Sequence, residues 1–444
     1  MPAKTQPSVE LPTYFWSDLD ALKQREILQR PPVSLADPMA VANVIEQVRA
    51  DGDAAIYALT ARYDGVKLLN SRVPKEVIQA ALDNLSPDLL EALKAAYDNI
   101  ERFHRAQETQ SPPVETASGM TCEIMVRPID AVGLYVPGGT APLPSTVLML
   151  GVPSQLAKCT TRVLCTPPQK DGQVDQLVLA AAALCGIDQV FSVGGAQAIA
   201  AMAYGTETIP KVNKIFGPGN PWVTRAKQIV AQDADGAGCD MPAGPSEVLV
   251  IADDTANPSF VAADLLAQAE HGIDSQVILV TTSGALADGV KRQLLSQIET
   301  LSRRHIAAAA LASSRIIIAR NVDEAFAISN AYAPEHLIIN TTHSRSDVEK
   351  VTNAGSVFVG AWTPESLGDY CSGTNHVLPT NGYASHVSGV GLGDFQKRIT
   401  VQEASEQGLE SIGWIAQRIA GSEGLDAHAQ AVTIRMAQKN SAKL

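Results

Sequence analysis

The sequence lacks any apolar run long enough to cross a bilayer. Its most apolar stretch, STVLMLGV at 145–152, is far shorter than the roughly 20 residues that a membrane helix needs. The amino terminus shows no basic segment followed by an apolar one, which is the pattern of a secretory signal. These absences argue against a membrane protein and predict a cytoplasmic location.

Positive charge is also scarce. The chain carries 34 Lys and Arg against 47 Asp and Glu, a formal net charge of −13, without basic clusters. Proteins that bind nucleic acid or anionic membranes need such clusters to meet phosphate groups. The composition therefore predicts neither partner and favours an enzyme acting on a small molecule, with two or three domains for a chain of 444 residues.

Cysteine is sparse and scattered. None of the six cysteines forms the CxxC spacing of a zinc ribbon or a disulfide framework, and several lie in apolar runs. Most of them are predicted to be buried, unreactive thiols. A nucleophilic thiol that traps an aldehyde is the alternative function. The six are Cys122, Cys159, Cys165, Cys185, Cys239 and Cys371.

The hydrophobic pattern changes along the chain. Residues 34–65 and 75–105 have apolar positions at helical spacing, which predicts a helical amino-terminal part. From residue 131, short apolar runs alternate with helical ones, and a second such series follows GCDMPAGPS. This alternation predicts an α/β fold with two doubly wound parallel sheets. Residues 381–444 have no strand pattern and are predicted to form a helical arm without its own sheet.

A glycine turn between a predicted strand and helix, KIFGPGNPWVTRAKQIVA, is a candidate phosphate site, because helix amino termini attract anions. Gly217 and Gly219 supply only the first part of a dinucleotide fingerprint, and no third glycine follows. A tight turn that needs glycine only to bend is the alternative.

The segment LLAQAEHG holds a candidate metal pair. Gln268 and His271 are three residues apart, so a helix places them on one face, and their oxygen and nitrogen donors suit zinc. Two donors do not complete a coordination sphere. Asp369, His376 and His428 are further candidates, but sequence spacing does not connect them to this pair.

The segment NAYAPEHLII sets two proton-transfer groups side by side, Glu335 and His336, just before an apolar run. Neighbouring residues of a regular strand point to opposite faces. An irregular backbone is therefore expected if both side chains serve one pocket. The alternative is that the pair simply flanks a strand end in water.

These segments resemble the histidinol dehydrogenase family. The matching blocks follow one another in order over most of the chain, from about residue 30. They are GLYVPGGTAPLPSTVLML, SVGGAQAIAAMAYGT, VNKIFGPGN, DMPAGPSEVLVIAD, QAEHGIDSQ, NAYAPEHL, GDYCSGTNHVLPT and DFQKRITVQE. A small departure is Asn381, where the family more often has an aromatic residue, and it affects only local loop shape.

The resemblance implies an intertwined homodimer with two incomplete Rossmann-like domains, one zinc ion per subunit and NAD as the hydride acceptor. The expected division is an amino-terminal segment (1–29), a first domain that carries the metal and catalytic residues (30–130 and 240–378), an NAD-binding second domain (131–239), and a dimerisation arm (379–444).

The resemblance also implies the site residues. The expected zinc ligands are Gln268, His271, Asp369 and, from the partner subunit, His428. The expected substrate site shares these residues and adds Ser246, His336, His376 and Glu423. NAD is expected near Tyr135, Gln197 and Asn220.

Histidinol oxidation explains the adjacent acid and imidazole. Oxidising a primary alcohol to an acid needs a base for the hydroxyl proton and a base that activates water to attack the intermediate aldehyde. The resemblance implies that His336 performs the first task and Glu335 the second.

Two other hypotheses remain at this point. One is a paralogous zinc- and NAD-dependent dehydrogenase of a different polar alcohol, against which His376 and Glu423 argue. The other is a non-catalytic ligand-binding protein of the same fold, against which the intact Glu335, His336 and metal candidates argue.

Overall fold

The computed structural model describes residues 11–32, 36–108, 111–138, 142–242 and 244–441. The blocks GLYVPGGTAPLPSTVLML and DMPAGPSEVLVIAD therefore include positions, 139–141 and 243, that lie outside the described residues, as do 1–10 of the predicted amino-terminal segment. Within the described part, no helix is both long and apolar enough to span a membrane.

The strands, in chain order, are β1 (Thr13–Phe15), β2 (Val114–Ala117), β3 (Met120–Pro128), β4 (Ala131–Tyr135), β5 (Thr161–Thr166), β6 (Gln189–Ser192), β7 (Lys214–Phe216), β8 (Gly238–Cys239), β9 (Glu247–Ala252), β10 (Gln276–Thr281), β11 (Arg315–Ile318), β12 (His336–Asn340), β13 (Ser356–Val359) and β14 (Gln396–Ala404).

The helices are α1 (Ala21–Ile27), α2 (Pro38–Tyr63), α3 (Lys75–Asp83), α4 (Pro87–Arg105), α5 (Pro144–Leu156), α6 (Gln176–Leu184), α7 (Gly195–Tyr204), α8 (Pro221–Gln232), α9 (Pro258–Ala269), α10 (Gly284–Gln297), α11 (Arg304–Ala312), α12 (Val322–Tyr332), α13 (Ser344–Asp347), α14 (Glu365–Tyr370), α15 (Glu406–Ser422) and α16 (Asp426–Ser441).

Two parallel sheets confirm the predicted α/β class. The five-stranded sheet has the order β6-β5-β4-β7-β8, and the six-stranded sheet has the order β1-β11-β10-β9-β12-β13. In each sheet the first strand of its series lies in the middle and the order reverses beside it, at β4/β7 and at β9/β12. A reversal of this kind opens a crevice at the strand ends where α/β proteins bind ligands.

The inner strands of the six-stranded sheet are buried on both faces. Strands β9, β10 and β12 have every residue buried, as expected for parallel strands covered by helices on each side. Continuous apolar runs, rather than alternation, therefore specify these strands. This is why the sequence pattern identified them.

The helical amino-terminal part packs on the five-stranded sheet. Apolar residues of α3 and α4 join the core beneath β4 and α5, and those of α2 join the core around α7 and α8. The expected division grouped this part with the sheet of residues 247–359 instead. Helical periodicity shows which face of a helix is buried but not which surface covers it.

An antiparallel sheet with the order β14-β3-β2 was not predicted. The expectation that residues 381–444 form an arm without strands is wrong, because β14 pairs along its whole length with β3. The helices predicted within 34–65 and 75–105 are present as α2, α3 and α4, but the strands β1, β2 and β3 before residue 131 were not predicted. Most residues of β14 are exposed, so it carries no apolar alternation, and backbone hydrogen bonds hold it in place.

Candidate active site

Six of the predicted site residues line one cavity of about 830 Å³, which we call the histidine cavity. The cavity opens at the edge where the neighbouring parallel strands β9 and β12 begin. Segments far apart in sequence therefore meet there. The six residues are Ser246, His271, Glu335, His336, Asp369 and His376.

The adjacent acid and imidazole face this cavity together, as expected. Helix α12 ends at Ala333, which has a left-handed backbone (φ 52°), and Glu335 forms a bend before His336 begins β12. Glu335 Oε2 accepts a hydrogen bond from the Glu247 backbone N–H at 2.9 Å, and His336 Nδ1 lies 3.0 Å from the Glu247 carbonyl oxygen. The backbone of Glu247 thus holds both side chains.

His336 has one ring nitrogen free for chemistry. Its Nδ1 donates to the Glu247 carbonyl, which leaves Nε2 as the basic atom of the neutral ring. Nε2 is buried, has no hydrogen-bond partner in the described structure, and lies 3.5 Å from Asp369 Oδ1. Burial lowers the pKa of His336, but Glu335, Asp369 and Glu365 outweigh burial and raise it well above its usual value.

A second histidine that lines this cavity, His376, is held neutral. His376 Nδ1 donates to the Asp369 carbonyl oxygen at 2.9 Å, so Nε2 accepts from the Thr146 hydroxyl at 3.1 Å. Burial lowers the pKa of His376. Burial opposes ionisation of the Asp369 carboxyl, but His336, His376 and His271 together hold its pKa below the usual value. Asp369 is therefore ionised at neutral pH.

The predicted metal pair lies at the end of α9. Gln268 is fully buried, whereas His271 lines the cavity with Nδ1 3.4 Å from Ser246 Oγ. The Gln268 amide satisfies both of its polar atoms when its nitrogen donates to Glu365 Oε1 at 2.8 Å and its oxygen accepts from the Glu247 N–H at 3.1 Å. In the opposite orientation its nitrogen faces Glu335 and His336 instead.

No group of three His, Cys, Asp or Glu side chains with metal-binding geometry occurs in the described ranges. The single chain offers two such donors at this position, His271 and Asp369, together with the Gln268 amide. Nitrogen, carboxylate and carbonyl oxygen donors suit zinc in type, but three donors leave one position of a tetrahedral ion unfilled.

The structure does not bring Glu423 and His428 to the histidine cavity. Glu423 caps the end of α15, His428 lies in the first turn of α16, and both are exposed and absent from the cavity wall. Helices α15 and α16 pack on each other. The same arm exposes large apolar side chains, among them Trp414 (58% exposed) and Ile419 (53%).

The three predicted dinucleotide residues line a second cavity of about 570 Å³, which we call the tyrosine cavity. Tyr135 ends β4 and accepts a hydrogen bond from the Gly195 N–H at 3.1 Å. Gln197 is buried in α7, and Asn220 caps α8 through the N–H groups of its first turn. The cavity lies at the carboxyl ends of β4 and β7, where the strand order reverses.

The two cavities adjoin. Pro137, Gly138 and Pro142 line both of them, so a molecule in the tyrosine cavity can reach the histidine cavity along this segment. One sheet contributes its carboxyl edge and the other its amino edge. The arrangement can hold an elongated cofactor beside a small substrate.

Sequence reasoning missed three supporting residues. The Glu365 carboxylate accepts a hydrogen bond from the Gln268 amide, the Thr146 hydroxyl donates to His376, and the Glu247 backbone holds the catalytic pair. Glu365 precedes Asp369 by four residues, so helical spacing could have placed the two on one face. Of the six cysteines, Cys159, Cys165 and Cys185 are buried as expected, whereas Cys122, Cys239 and Cys371 are only partly buried. Burial raises the pKa of the Cys159 thiol to about 11 and of Cys185 and Cys239 to about 12.

Comparison with known proteins agrees with this site. The family model described as "Histidinol dehydrogenase" matches residues 33–436. The histidinol dehydrogenase of Vibrio cholerae is 54% identical over 433 residues, 97% of this chain and 100% of its own. That of Xanthomonas euvesicatoria is 56% identical over 423 residues, 95% of this chain and 98% of its own.

A solved structure is equally similar. The crystal structure of histidinol dehydrogenase from Elizabethkingia anophelis superposes with a TM-score of 0.94 at 47% sequence identity, covering 97% of this chain and 99% of that one. This agreement extends over both sheets and the arm rather than one motif. The chain therefore belongs to the histidinol dehydrogenase family of oxidoreductases.

Proposed function

We propose that this enzyme oxidises L-histidinol to L-histidine through L-histidinaldehyde, reducing two NAD, as the final steps of histidine biosynthesis. The observation that carries the proposal is the position of Glu335 and His336 in a cavity that adjoins a second one lined by Tyr135, Gln197 and Asn220. The family and the named relatives support the substrate and do not favour a paralogous alcohol dehydrogenase.

His336 is the base of the alcohol oxidation. Its Nε2 takes the hydroxyl proton while the carbinol carbon transfers hydride to the first NAD, which leaves the aldehyde. The carboxylates around His336 raise its pKa and so stabilise the protonated ring that this step forms, and the neutral ring that acts as the base is present above that pKa. Because Nε2 is buried and Nδ1 is engaged by Glu247, the proton goes to a single defined atom.

Glu335 serves the second oxidation. Its carboxylate removes a proton from water as that water adds to the aldehyde carbon, and the hydrate then transfers hydride to a second NAD to form the acid. The Glu247 N–H fixes one Glu335 oxygen at 2.9 Å, which leaves the other to meet the water. Two NADH form for each substrate molecule.

Gln268, His271 and Asp369 would hold one zinc ion per subunit, with His428 of the partner subunit as the fourth ligand. A zinc ion held there would supply coordination sites for the imidazole and amino nitrogens of the substrate. The residues fit this group because Asp369 is kept ionised by its histidine neighbours and His271 faces the cavity. Ser246 and His376 line the remaining wall and would contact the substrate.

A homodimer would complete the site. Glu423 and His428 are exposed on an arm that also exposes Trp414 and Ile419, and large exposed apolar side chains mark surfaces that another protein covers. In a symmetric dimer the arm of each subunit can reach the partner's cavity. Glu423 would then contact the substrate, and His428 the metal.

NADH formation with histidinol tests the function directly. Absorbance at the NADH band should show two NADH for each histidinol consumed, and His336→Gln should abolish this signal. One NADH per substrate would instead indicate a different alcohol as the natural substrate. Binding of NAD without any NADH formation would contradict the proposed activity.

A further inference from the structure

The loop of residues 217–220 lies between the two cavities. Asn220 lines the tyrosine cavity, whereas Pro218 and Gly219 line the histidine cavity. The loop follows β7 and leads directly into α8. Its position therefore sets how a cofactor in one cavity faces a substrate in the other.

A buried ion pair holds the first residue of this loop from both sides. Lys227 Nζ donates to the Gly217 carbonyl oxygen at 2.9 Å, and Asp240 Oδ2 accepts from the Gly217 N–H at 2.7 Å. Lys227 and Asp240 also form a direct ion pair through Asp240 Oδ1. Their side chains are only 7% and 2% exposed, so water does not compete for these contacts.

Gly217 also packs against the tyrosine of the dinucleotide site. Its φ is +119°, outside the range of ordinary L-residues, and a Cβ atom here would collide with the Tyr135 carbonyl oxygen. The ion pair therefore fixes a residue that contacts Tyr135 directly and precedes Asn220 by three positions. Gly217 therefore contacts one of the three dinucleotide residues, Tyr135, and belongs to the same loop as a second, Asn220.

Fold stability alone does not account for this ion pair. Two buried charges lose their hydration, and apolar residues of similar volume are often as stabilising or more so. A buried pair whose remaining hydrogen bonds converge on one backbone residue is suited to fixing that residue's position. The contacts of Lys227 and Asp240 converge on Gly217 in this way.

We propose that Lys227 and Asp240 are positioning residues of the dinucleotide site, which hold the loop of residues 217–220 so that Tyr135 and Asn220 keep their places. Neither side chain lines the tyrosine cavity or the histidine cavity. The inference rests on the proposed function only for the identity of the cofactor. It predicts that loss of the ion pair weakens NAD binding and spares histidinol binding.

The test is the double variant Lys227→Met with Asp240→Asn, which removes both charges and leaves none unpaired. The amide oxygen introduced by Asp240→Asn can still accept from the Gly217 N–H, while the donor to the Gly217 carbonyl is lost. KM for NAD and the dissociation constant of NADH should each rise about tenfold. Quenching of intrinsic tryptophan fluorescence measures NADH binding, since Trp222 lines the tyrosine cavity. KM for histidinol should stay within about twofold.

Val230→Ala is the matched control, because Val230 is a fully buried apolar residue of the same helix, α8. It should lower the melting temperature and leave the ratio of the two KM values unchanged. Lys227→Gln with Asp240→Asn also leaves no buried charge unpaired and keeps an amide donor in place of the Lys227 ammonium. It should raise KM for NAD less than the variant with methionine, and it keeps the inference testable if the methionine variant does not fold.

Three outcomes would overturn the inference. One is an equal rise of both KM values, and another is a ratio no different from that of Val230→Ala. The third is that the ion-pair variants bind NADH as tightly as the wild type does. That outcome would contradict the inference and leave the proposed function intact. A wild-type protein that binds no NADH would remove the proposed function and this inference together.

Discussion

Arg30→Met tests how the catalytic pair is held. Arg30 donates to Glu247 through Nε (2.5 Å to Oε1) and Nη2 (2.9 Å to Oε2), to the Tyr332 carbonyl oxygen at 2.7 Å, and its guanidinium stacks 3.8 Å from the centre of the Tyr332 ring. The Glu247 side chain is only 3% exposed. The substitution therefore leaves a buried carboxylate without its charge partner.

Removing one partner of a buried pair costs about 3–5 kcal/mol of unfolding free energy. We expect a loss in that range at pH 8, which is a large share of the roughly 5–15 kcal/mol available to a folded protein. The same change should lower kcat, because the Glu247 backbone holds both Glu335 and His336. Guanidinium denaturation followed by circular dichroism measures the stability loss.

The loss should depend on pH in a defined direction. Burial raises the pKa of Glu247 above its usual 4.5, although Arg30 opposes this, so without Arg30 the folded pKa rises further. The folded variant then binds more protons than the unfolded chain between pH 4.5 and that folded pKa. Its stability consequently falls as pH rises through this window, and little is lost below it.

Adding Glu247→Gln removes the stranded charge and should restore part of the stability above pH 7, which serves as the control. A loss below about 1 kcal/mol at pH 8, the size of an exposed pair, would refute the reasoning. So would a loss of the same size at every pH. Either result would mean that water reaches Glu247.

The remaining predictions concern the active site and whether two subunits contribute residues to it. Glu335→Gln should impair NAD-dependent oxidation of supplied histidinal more than its reduction by NADH, because only oxidation needs activated water; equal loss in both directions would contradict this. His271→Asn should lose bound divalent ion, measured by elemental analysis, together with turnover, and full activity of metal-free protein would refute it. His271→Asn and His428→Asn, refolded together, should recover about a quarter of wild-type activity. No recovery, with hybrids confirmed by mass spectrometry, would place His428 in its own subunit's site.

Much of the fold could be predicted because buried parallel strands appear in the sequence as continuous apolar runs. The series from EVLVIA to SVFV corresponds to β9 through β13, and the series from residue 131 corresponds to β4 through β7, whereas the two-residue β8 was not predicted. Strands without a buried face gave no such signal. Strand β14 has mostly exposed side chains, so nothing in its sequence distinguished it from a polar loop.

Part of the candidate site could be predicted from local spacing. The three-residue interval identified Gln268 and His271, although only Gln268 lies in α9 and His271 lies in the turn that follows it. The irregular backbone at Glu335 followed from the need for two neighbours to face one cavity. Supporting residues were missed because their partners are distant in sequence. Arg30 is a further one, since its guanidinium pairs with the Glu247 carboxylate across 217 positions of sequence.

By itself the sequence determined the local elements and the chemical groups: helices from apolar spacing, buried strands from apolar runs, and the carboxylate, imidazole and amide side chains available for catalysis. Tertiary structure alone decided which groups meet. It set the carboxyl edge of one sheet beside the amino edge of the other, so that Tyr135 and His336 line adjoining cavities. It also decided the charge states, because the pKa of His336 depends on burial, on the neighbouring Glu335 and on Asp369 and Glu365 from another segment. A local sequence pattern shows which residues of one helix or strand favour burial over contact with water. An active site depends on contacts between elements, which no local pattern contains.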